Sequence, residues 1–60
     1  PKITTIIRAI DINLEYNIPY YDALLAATMR ENGIFNIYTE NEKDFKKIKW
    51  LNVVNPLKRK

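Results

Sequence analysis

A single carboxylate, Asp22, lies at the start of the most apolar stretch of this sequence, residues 23–29. A charged group costs free energy when it leaves water, so an acid in such a setting normally has a partner or a chemical role. The simpler interpretation is structural, because an Asp in the first turn of a helix interacts favourably with the helix dipole, by roughly 0.3–1 kcal/mol. One acid alone does not define a site, which needs further groups around it.

A second group of polar side chains lies between residues 39 and 44. It offers the hydroxyl of Thr39, the amide of Asn41 and the carboxylate of Asp44, directly after a short β-prone run. In an open parallel sheet, ligands bind at the carboxyl ends of the strands, in loops of this kind. A structural explanation accounts for the same residues, because Asn41 is a good helix N-cap and Asp44 can complete a capping box.

The composition limits the chemistry that these groups could perform. The 60 residues include no Cys and no His, which excludes disulfides, thiolate zinc sites, imidazole ligands and His-based general base chemistry. Any metal held here would be a hard cation on oxygen ligands, such as magnesium, manganese or calcium. A chain this short buries only about 60% of the surface that its unfolded form exposes, which permits one small domain at most.

The net charge of +3 arises mostly in the last third of the chain. A basic surface there can bind a phosphate backbone, although a solvated face with a basic tail explains the same pattern. No apolar run is long enough to span a bilayer and no signal peptide opens the chain, so we expect a cytoplasmic protein without a membrane partner. The basic residues are Lys43, Lys46, Lys47, Lys49, Lys58, Arg59 and Lys60.

The spacing of apolar residues and the positions of proline and glycine predict the helices that must position these groups. An apolar stripe predicts an amphipathic first helix, which begins near Thr4 or Thr5 and ends before Pro19. The second helix begins at or just after Pro19 and ends at a left-handed cap on Gly33. Because it is apolar nearly all round, it should be covered on more than one side. The residues of the stripe are Ile3, Ile6, Ile7, Ile10 and Leu14.

The rest of the chain predicts two short strands separated by a short helix. Residues 34–38 and 52–54 are rich in branched and aromatic side chains, and a third helix should run from the 39–45 turn to Ile48 or Lys49. The order is helix, helix, strand, helix, strand, an α/β class with parallel strands and a right-handed crossover. Two parallel strands are too few for a sheet buried on both faces, so we expect half of a domain or one protomer of an intimate oligomer.

Several segments, taken in order, resemble a known family. Residues 21–27, then Gly33, residues 38–41, Asp44-Phe45 and Asn55-Pro56 are similar to the C-terminal half of PIN-domain proteins. These are metal-dependent ribonucleases that include the toxins of many prokaryotic toxin–antitoxin pairs. The resemblance covers residues 1–60 and implies the C-terminal portion of a single PIN-like domain, with part of a three-layer α/β/α fold and the N-terminal half absent.

The resemblance also implies roles for particular residues. Asp22 matches an acid of the pocket that binds Mg²⁺ or Mn²⁺, and Asn41 takes a second metal-ligand position, where members carry Asp or Asn. Asp44 matches a third catalytic position as a ligand, a supporting group or a cap, and Thr39 would position the loop or a metal-bound water. The lysines expected to bind the RNA backbone are Lys43, Lys46 and Lys47.

This chemistry suits the residue types, but the set is incomplete. Phosphodiester hydrolysis needs no His where clustered carboxylates hold a hard cation that activates water and stabilises the developing charge. The family also uses an acid on the first strand of the sheet and one on an earlier helix, and Asp11 and Glu15 match neither position. We therefore expect this chain to be inactive alone, and its partners to be RNA, the missing half or a second copy, and an antitoxin protein.

Two other functions remain open at the level of sequence. One is a non-catalytic α/β interaction module that self-associates through the second helix and a strand edge. The other is a small basic nucleic-acid binder without metal, whose aromatic side chains stack on bases. We expect those aromatic side chains to fill the core instead, and they are Tyr20, Tyr21, Phe35, Tyr38 and Trp50.

Overall fold

The computed structural model, which describes residues 2–57, contains three helices and two strands within that range. Their order is α1 (Ile3–Tyr16), α2 (Tyr20–Glu31), β1 (Asn36–Tyr38), α3 (Glu42–Phe45) and β2 (Asn52–Val54). The predicted α/β class and element order are confirmed, whereas β1 is shorter and α3 ends earlier than the sequence indicated. No helix in the described part of the chain is long and apolar enough to cross a membrane.

Helix α1 packs against α2 with the face opposite to the one that the sequence indicated. Its buried residues are Thr5, Ala9 and Ile12, while the apolar stripe lies on the outer side. Ile3 and Leu14 are 76% and 73% exposed. The physical reason is the size of the side chains, because the small residues of α1 allow a close approach to α2 that a row of isoleucines would prevent.

Within the single chain, one side of helix α2 is buried and the other is exposed, so the coverage on more than one side that its composition indicates is not provided by residues 2–57. Ala23, Ala26, Ala27 and Met29 are buried, and the first three have no exposed surface. On the outer side the exposed fractions of Tyr21 and Leu25 are 76% and 40%. Alanines therefore make up most of the buried side of α2, together with Met29, while Tyr21 and Leu25 remain in contact with solvent.

Left-handed residues end both long helices, and this fixes the directions in which the chain continues. Gly33 has φ +70°, its N–H donates to the Arg30 carbonyl at 3.1 Å, and the Ile34 N–H donates to the Met29 carbonyl at 2.8 Å. These two bonds form a Schellman cap, as the single glycine predicted. At the end of α1 the left-handed residue is Asn17, with φ 54°, a conformation that Asn tolerates better than most residues.

The two strands are parallel neighbours, as predicted. Asn36 is in register with Asn52, Ile37 with Val53, and Tyr38 with Val54. The alternation of side chains places Ile37 and Val53 against the core, while the Asn52 amide donates to the Asn36 side-chain oxygen at 2.7 Å on the other face. In the described part of the chain the sheet has no third strand, so both of its outer edges are unpaired.

The segment from α3 to β2 closes the core between the helices and the sheet. Phe45, Ile48 and Leu51 are all buried there, and Ile48 is 1% exposed. Trp50 lies beside them, with its ring edge-on to Phe35 at a centroid distance of 6.1 Å and with the Arg30 guanidinium 5.1 Å from its centroid. These contacts join the end of α2 to the sheet.

Glu31 joins the end of α2 to the start of α1. Its carboxylate accepts hydrogen bonds from the hydroxyls of Thr4, at 3.3 Å, and Thr5. The Thr5 bond lowers the pKa of Glu31 below its ordinary value of 4.5, against a smaller opposing effect of burial, and the Thr4 bond and the positive charges of Lys2 and Arg8 add to the lowering. The hydroxyl of the buried Thr5 thus has its partner on the neighbouring helix.

This contact predicts a pH dependence of stability. A lowered pKa in the folded state means that Glu31 stabilises the fold above its ordinary pKa, and that this contribution is lost as the pH falls through the folded value. The difference in melting temperature between the native chain and Glu31→Gln should therefore be largest near neutral pH and shrink below pH 4.5. Thermal unfolding across this range measures it. Glu40→Gln, which removes an exposed carboxylate, is the control, and a pH-independent difference for Glu31→Gln would contradict the prediction.

Candidate functional site

The carboxyl ends of the two parallel strands meet the loop that carries the predicted site residues. The Thr39 N–H donates to the Val54 carbonyl at 2.9 Å, which extends the pairing one residue beyond β1. The Thr39 hydroxyl accepts a hydrogen bond from the Asn41 N–H at 3.0 Å. Thr39 therefore holds the turn that presents Asn41, in a local pattern typical of threonine at the start of a loop.

The side chain of Asn41 lies toward α2 and does not cap α3. Asn41 occupies the N-cap position, but its side chain makes no capping hydrogen bond within the described structure. Instead its amide Nδ2 lies 3.5 Å from Oδ2 of Asp22, at the long limit of a hydrogen bond. The capping-box explanation of this loop does not account for the position of the Asn41 side chain.

Asp22 reaches this position from the first turn of α2. It is the third residue of the helix, after Tyr20 and Tyr21, and is half-buried. Pro19 precedes the helix with an extended ψ of 144° and starts it without a side-chain cap. The Asp22 carboxylate interacts favourably with the dipole of α2. This interaction does not explain why the Asn41 amide, 19 residues away in sequence, approaches Asp22.

Asp44 is directed elsewhere. Its Oδ1 lies 3.7 Å from Nζ of Lys47, and that same ammonium donates to the Asn17 carbonyl at 3.2 Å. Among residues 2–57, Asp44 makes no hydrogen bond to Asp22 or Asn41. The structure thus brings together two of the three predicted catalytic residues and pairs the third with a lysine that ties α3 to the end of α1.

The predicted RNA-binding lysines differ in their surroundings. Lys46 forms an ion pair with Glu42 at 2.9 Å, and Lys47 contacts Asp44, while Lys43 lies on the exposed side of α3. The side chains of Lys46 and Lys47 are 61% and 40% exposed, whereas those of Glu42 and Asp44 are 13% and 23% exposed. The last three basic residues, Lys58, Arg59 and Lys60, lie outside the described residues.

Sequence reasoning missed the part played by Glu42 and Asn55. The Asn55 amide donates to Oε2 of Glu42 at 2.8 Å, and its side-chain oxygen accepts from the Leu57 N–H at 2.9 Å. Asn55 follows β2 directly, as Thr39 follows β1, so polar residues after both strands meet at the same edge. The signal in the sequence was the Asn-Pro pair, which we used as one segment of the resemblance to PIN-domain proteins without assigning a role to the Asn55 side chain.

The carboxylates of this region do not assemble a complete metal cluster within residues 2–57. No group of three or more Asp and Glu side chains in that range is arranged to hold an ion. The pair of Asp22 and Asn41 is an exposed arrangement of one carboxylate and one amide. Such a pair can supply two oxygen ligands to a hydrated cation, which would need its other ligands from water, phosphate or further carboxylates.

Aromatic residues adjoin the predicted site residues in sequence, and several of their side chains are exposed. We expected them to fill the core, but Tyr38, the last residue of β1, is 73% exposed, and Tyr20 and Tyr21 at the start of α2 are exposed as well. Phe35 is 46% exposed, with its ring against Trp50, and of the five aromatic side chains Trp50 is the one that packs against the core. The tyrosines are therefore positioned beside Asp22 and Thr39 in sequence, with solvent-facing rings.

Comparison of the chain with protein-family models, with curated proteins and with solved structures found no match.

Proposed function

We propose that these residues form the C-terminal portion of a PIN-like ribonuclease domain that hydrolyses RNA phosphodiester bonds with Mg²⁺ or Mn²⁺. The observation that carries the proposal is the approach of the Asn41 amide to the Asp22 carboxylate, at 3.5 Å, at the carboxyl edge of a parallel sheet. The motif order that resembles the PIN family supports it. Asp22 and Asn41 would hold the cation, and Asp44 would position α3 through Lys47.

The residues present fit part of such a metal site. Nδ2 of Asn41 lies 3.5 Å from Oδ2 of Asp22, a separation that two oxygen ligands of one magnesium ion can also have when each lies about 2.1 Å from the metal. Rotation of the Asn41 amide by half a turn would exchange its nitrogen for its oxygen at this position, since the two are assigned from the hydrogen-bond network. The side chain of Asn41 would then no longer donate to Asp22, and its oxygen would bind the cation beside the Asp22 carboxylate.

The chemistry of the pocket follows from its charges. A bound cation would activate water and stabilise negative charge on the phosphate oxygens. Asp22 supplies the anionic ligand that draws the cation to this edge, and Thr39 holds the backbone that presents Asn41. Lys43, which is exposed on α3 two residues after Asn41, would bind an RNA phosphate through its ammonium group. We propose that further carboxylates, outside the described residues, complete the pocket, and that without them hydrolysis is slow or absent.

The unpaired sheet supports the idea of a partial domain. Parallel strands are normally buried on both faces within a larger sheet. Here one face carries Ile37 and Val53 against the helices, while Asn36, Tyr38 and Asn52 on the other face are exposed. Addition of further strands and a second layer of helices would cover this face and both edges.

The test is a titration with Mn²⁺ followed by NMR. Paramagnetic broadening should centre on the amides of Asp22 and Asn41, with weak, millimolar-range binding because one carboxylate and one amide supply few ligands. Asp22→Asn should remove this broadening. The matched control is Glu40→Gln, which removes the same charge from an exposed position in the loop that carries Asn41 and should leave the broadening at Asp22 in place.

Two results would contradict the proposal. Broadening centred on α1 near Asp11 and Glu15, or broadening that survives Asp22→Asn, would place the cation elsewhere. Cleavage of a labelled single-stranded RNA in the same samples is the second readout. Cleavage that persists in EDTA and in Asp22→Asn would come from another source than this pocket.

A second candidate function is a non-catalytic interaction module. The observation that favours it is the exposed apolar surface, which on α2 includes Tyr21 and Leu25. This function requires no metal, so Mn²⁺ would show no preference for Asp22. Association should then weaken when Leu25 is replaced by Glu, because a charge at the centre of an apolar contact loses its hydration.

A further inference from the structure

We propose that the outer face of α1 is an interface at which two copies of this chain pair in antiparallel orientation. This face, the α1 stripe, consists of Ile3, Ile6, Ile7, Ile10 and Leu14. The proposal concerns a different surface from the nuclease pocket and from the α2 face, and it is independent of the proposed function.

The spacing of the α1 stripe is that of a helix-pairing seam. Ile3, Ile7, Ile10 and Leu14 are separated by four, three and four residues, the alternation that keeps apolar side chains on one line along two paired helices. The residues that α1 buries against α2, such as Ala9 and Ile12, lie on the opposite side of the helix. The stripe therefore faces outward over the full length of α1.

The exposed area is sufficient for a pair of copies. All five side chains are exposed, from 38% for Ile6 to 76% for Ile3. Together they present on the order of 500 Å² of apolar surface per copy, at the upper end of what a monomer usually exposes. Two copies would bury roughly 1,000 Å² through these side chains alone, near the lower limit for a specific interface, before the flanking residues are included.

The charges beside the stripe select a second copy and its direction. One flank carries Thr4, Arg8 and Asp11, and these residues form a shallow groove beside Ile7. In an antiparallel pair this flank meets the same flank of the other copy, so Arg8 of each copy approaches Asp11 of the other in two equivalent ion pairs. In a parallel pair the flank would instead meet Ile6 and Asn13, and Asp11 would face an apolar side chain.

The first test measures the oligomeric state by sedimentation velocity over a range of concentrations. The native chain should show a reversible monomer–dimer equilibrium. Ile7→Glu should weaken association at least ~100-fold because it places a charge at the centre of the seam. Glu is a better helix former than Ile, so helix content measured by circular dichroism should be retained. The matched control is Leu25→Glu on α2, which should leave the dimer unchanged.

The second test determines the direction of pairing by disulfide crosslinking. The chain has no cysteine, so only the introduced thiols can form disulfides. The antiparallel arrangement places Ile7 of one copy opposite Ile10 of the other. A mixture of Ile7→Cys and Ile10→Cys chains should therefore oxidise mainly to the mixed disulfide. Disulfides that form mainly between two Ile7→Cys chains or between two Ile10→Cys chains would overturn the antiparallel arrangement. A monomer at all concentrations, or a dimer lost with Leu25→Glu but retained with Ile7→Glu, would overturn the interface.

Discussion

Replacement of Phe45 by alanine is expected to cause the largest loss of stability, lowering the free energy of unfolding by about 3–5 kcal/mol. Phe45 is the last residue of α3 and is 3% exposed, packed in the core with Ile48 and Leu51. Removal of a buried phenyl ring costs about 3–5 kcal/mol, as lost burial plus the cavity left behind. The whole free energy of unfolding of a domain of this length is roughly 3–9 kcal/mol, so this single change removes a large part of it.

Urea unfolding followed by circular dichroism measures this effect. The matched control is Tyr38→Ala, which removes an aromatic ring that is 73% exposed and should change the free energy of unfolding by less than about 0.5 kcal/mol. Because α3 follows the loop that carries Asn41, the Phe45 variant should also lose the Mn²⁺-induced broadening at Asp22. An unchanged free energy of unfolding in Phe45→Ala would show that α3 is not part of the core.

Replacement of Ala9 by leucine is expected to have the second largest effect on stability. Ala9 has no exposed surface and lies in the contact between α1 and α2, where Ala23, Ala26 and Ala27 are equally buried. A larger side chain here must push the two helices apart or take a strained conformation, which costs about 1–3 kcal/mol. Separation of the helices would also break the contact of Glu31 with Thr5.

The control for this prediction is Ile10→Leu, the adjacent residue on the outer side of the same helix. It keeps the volume and apolar character of the side chain and should change the free energy of unfolding very little. Urea unfolding of both variants, with the native chain as reference, measures the difference. Equal stability of Ala9→Leu and the native chain would mean that the contact between the helices has room for three more carbons, contrary to the burial of its alanines.

The local chemistry of the sequence was sufficient to predict the elements and several of their ends. Pro19 marked the start of α2, and Gly33 marked its end because a left-handed residue is needed there. Branched and aromatic residues predicted two strands, and their separation by a helix predicted that they are parallel. These features depend on the backbone preferences of a few adjacent residues, which a sequence states directly.

The positions of the site residues could be predicted only in part. The resemblance to the PIN family singled out Asp22, Thr39, Asn41 and Asp44, and the sheet edge explains why Thr39 and Asn41 lie together. Whether the Asn41 side chain caps α3 or reaches α2 depends on how the loop packs against α2, where Asp22 lies 19 residues away in sequence. The ion pair that draws Asp44 toward Lys47 depends on the same packing.

The sequence by itself determined that this chain forms an α-α-β-α-β unit without cysteine or histidine chemistry, and with its oxygen-bearing side chains at the start of α2 and after β1. Only the tertiary structure decided which face of α1 is buried. The strongest apolar pattern in the chain, the α1 stripe, lies on the outside, because the close approach of α1 to α2 requires small residues such as Ala9 at the contact. Periodicity reports that a helix has an apolar face, but not what covers that face, which depends on the shapes of elements distant in sequence.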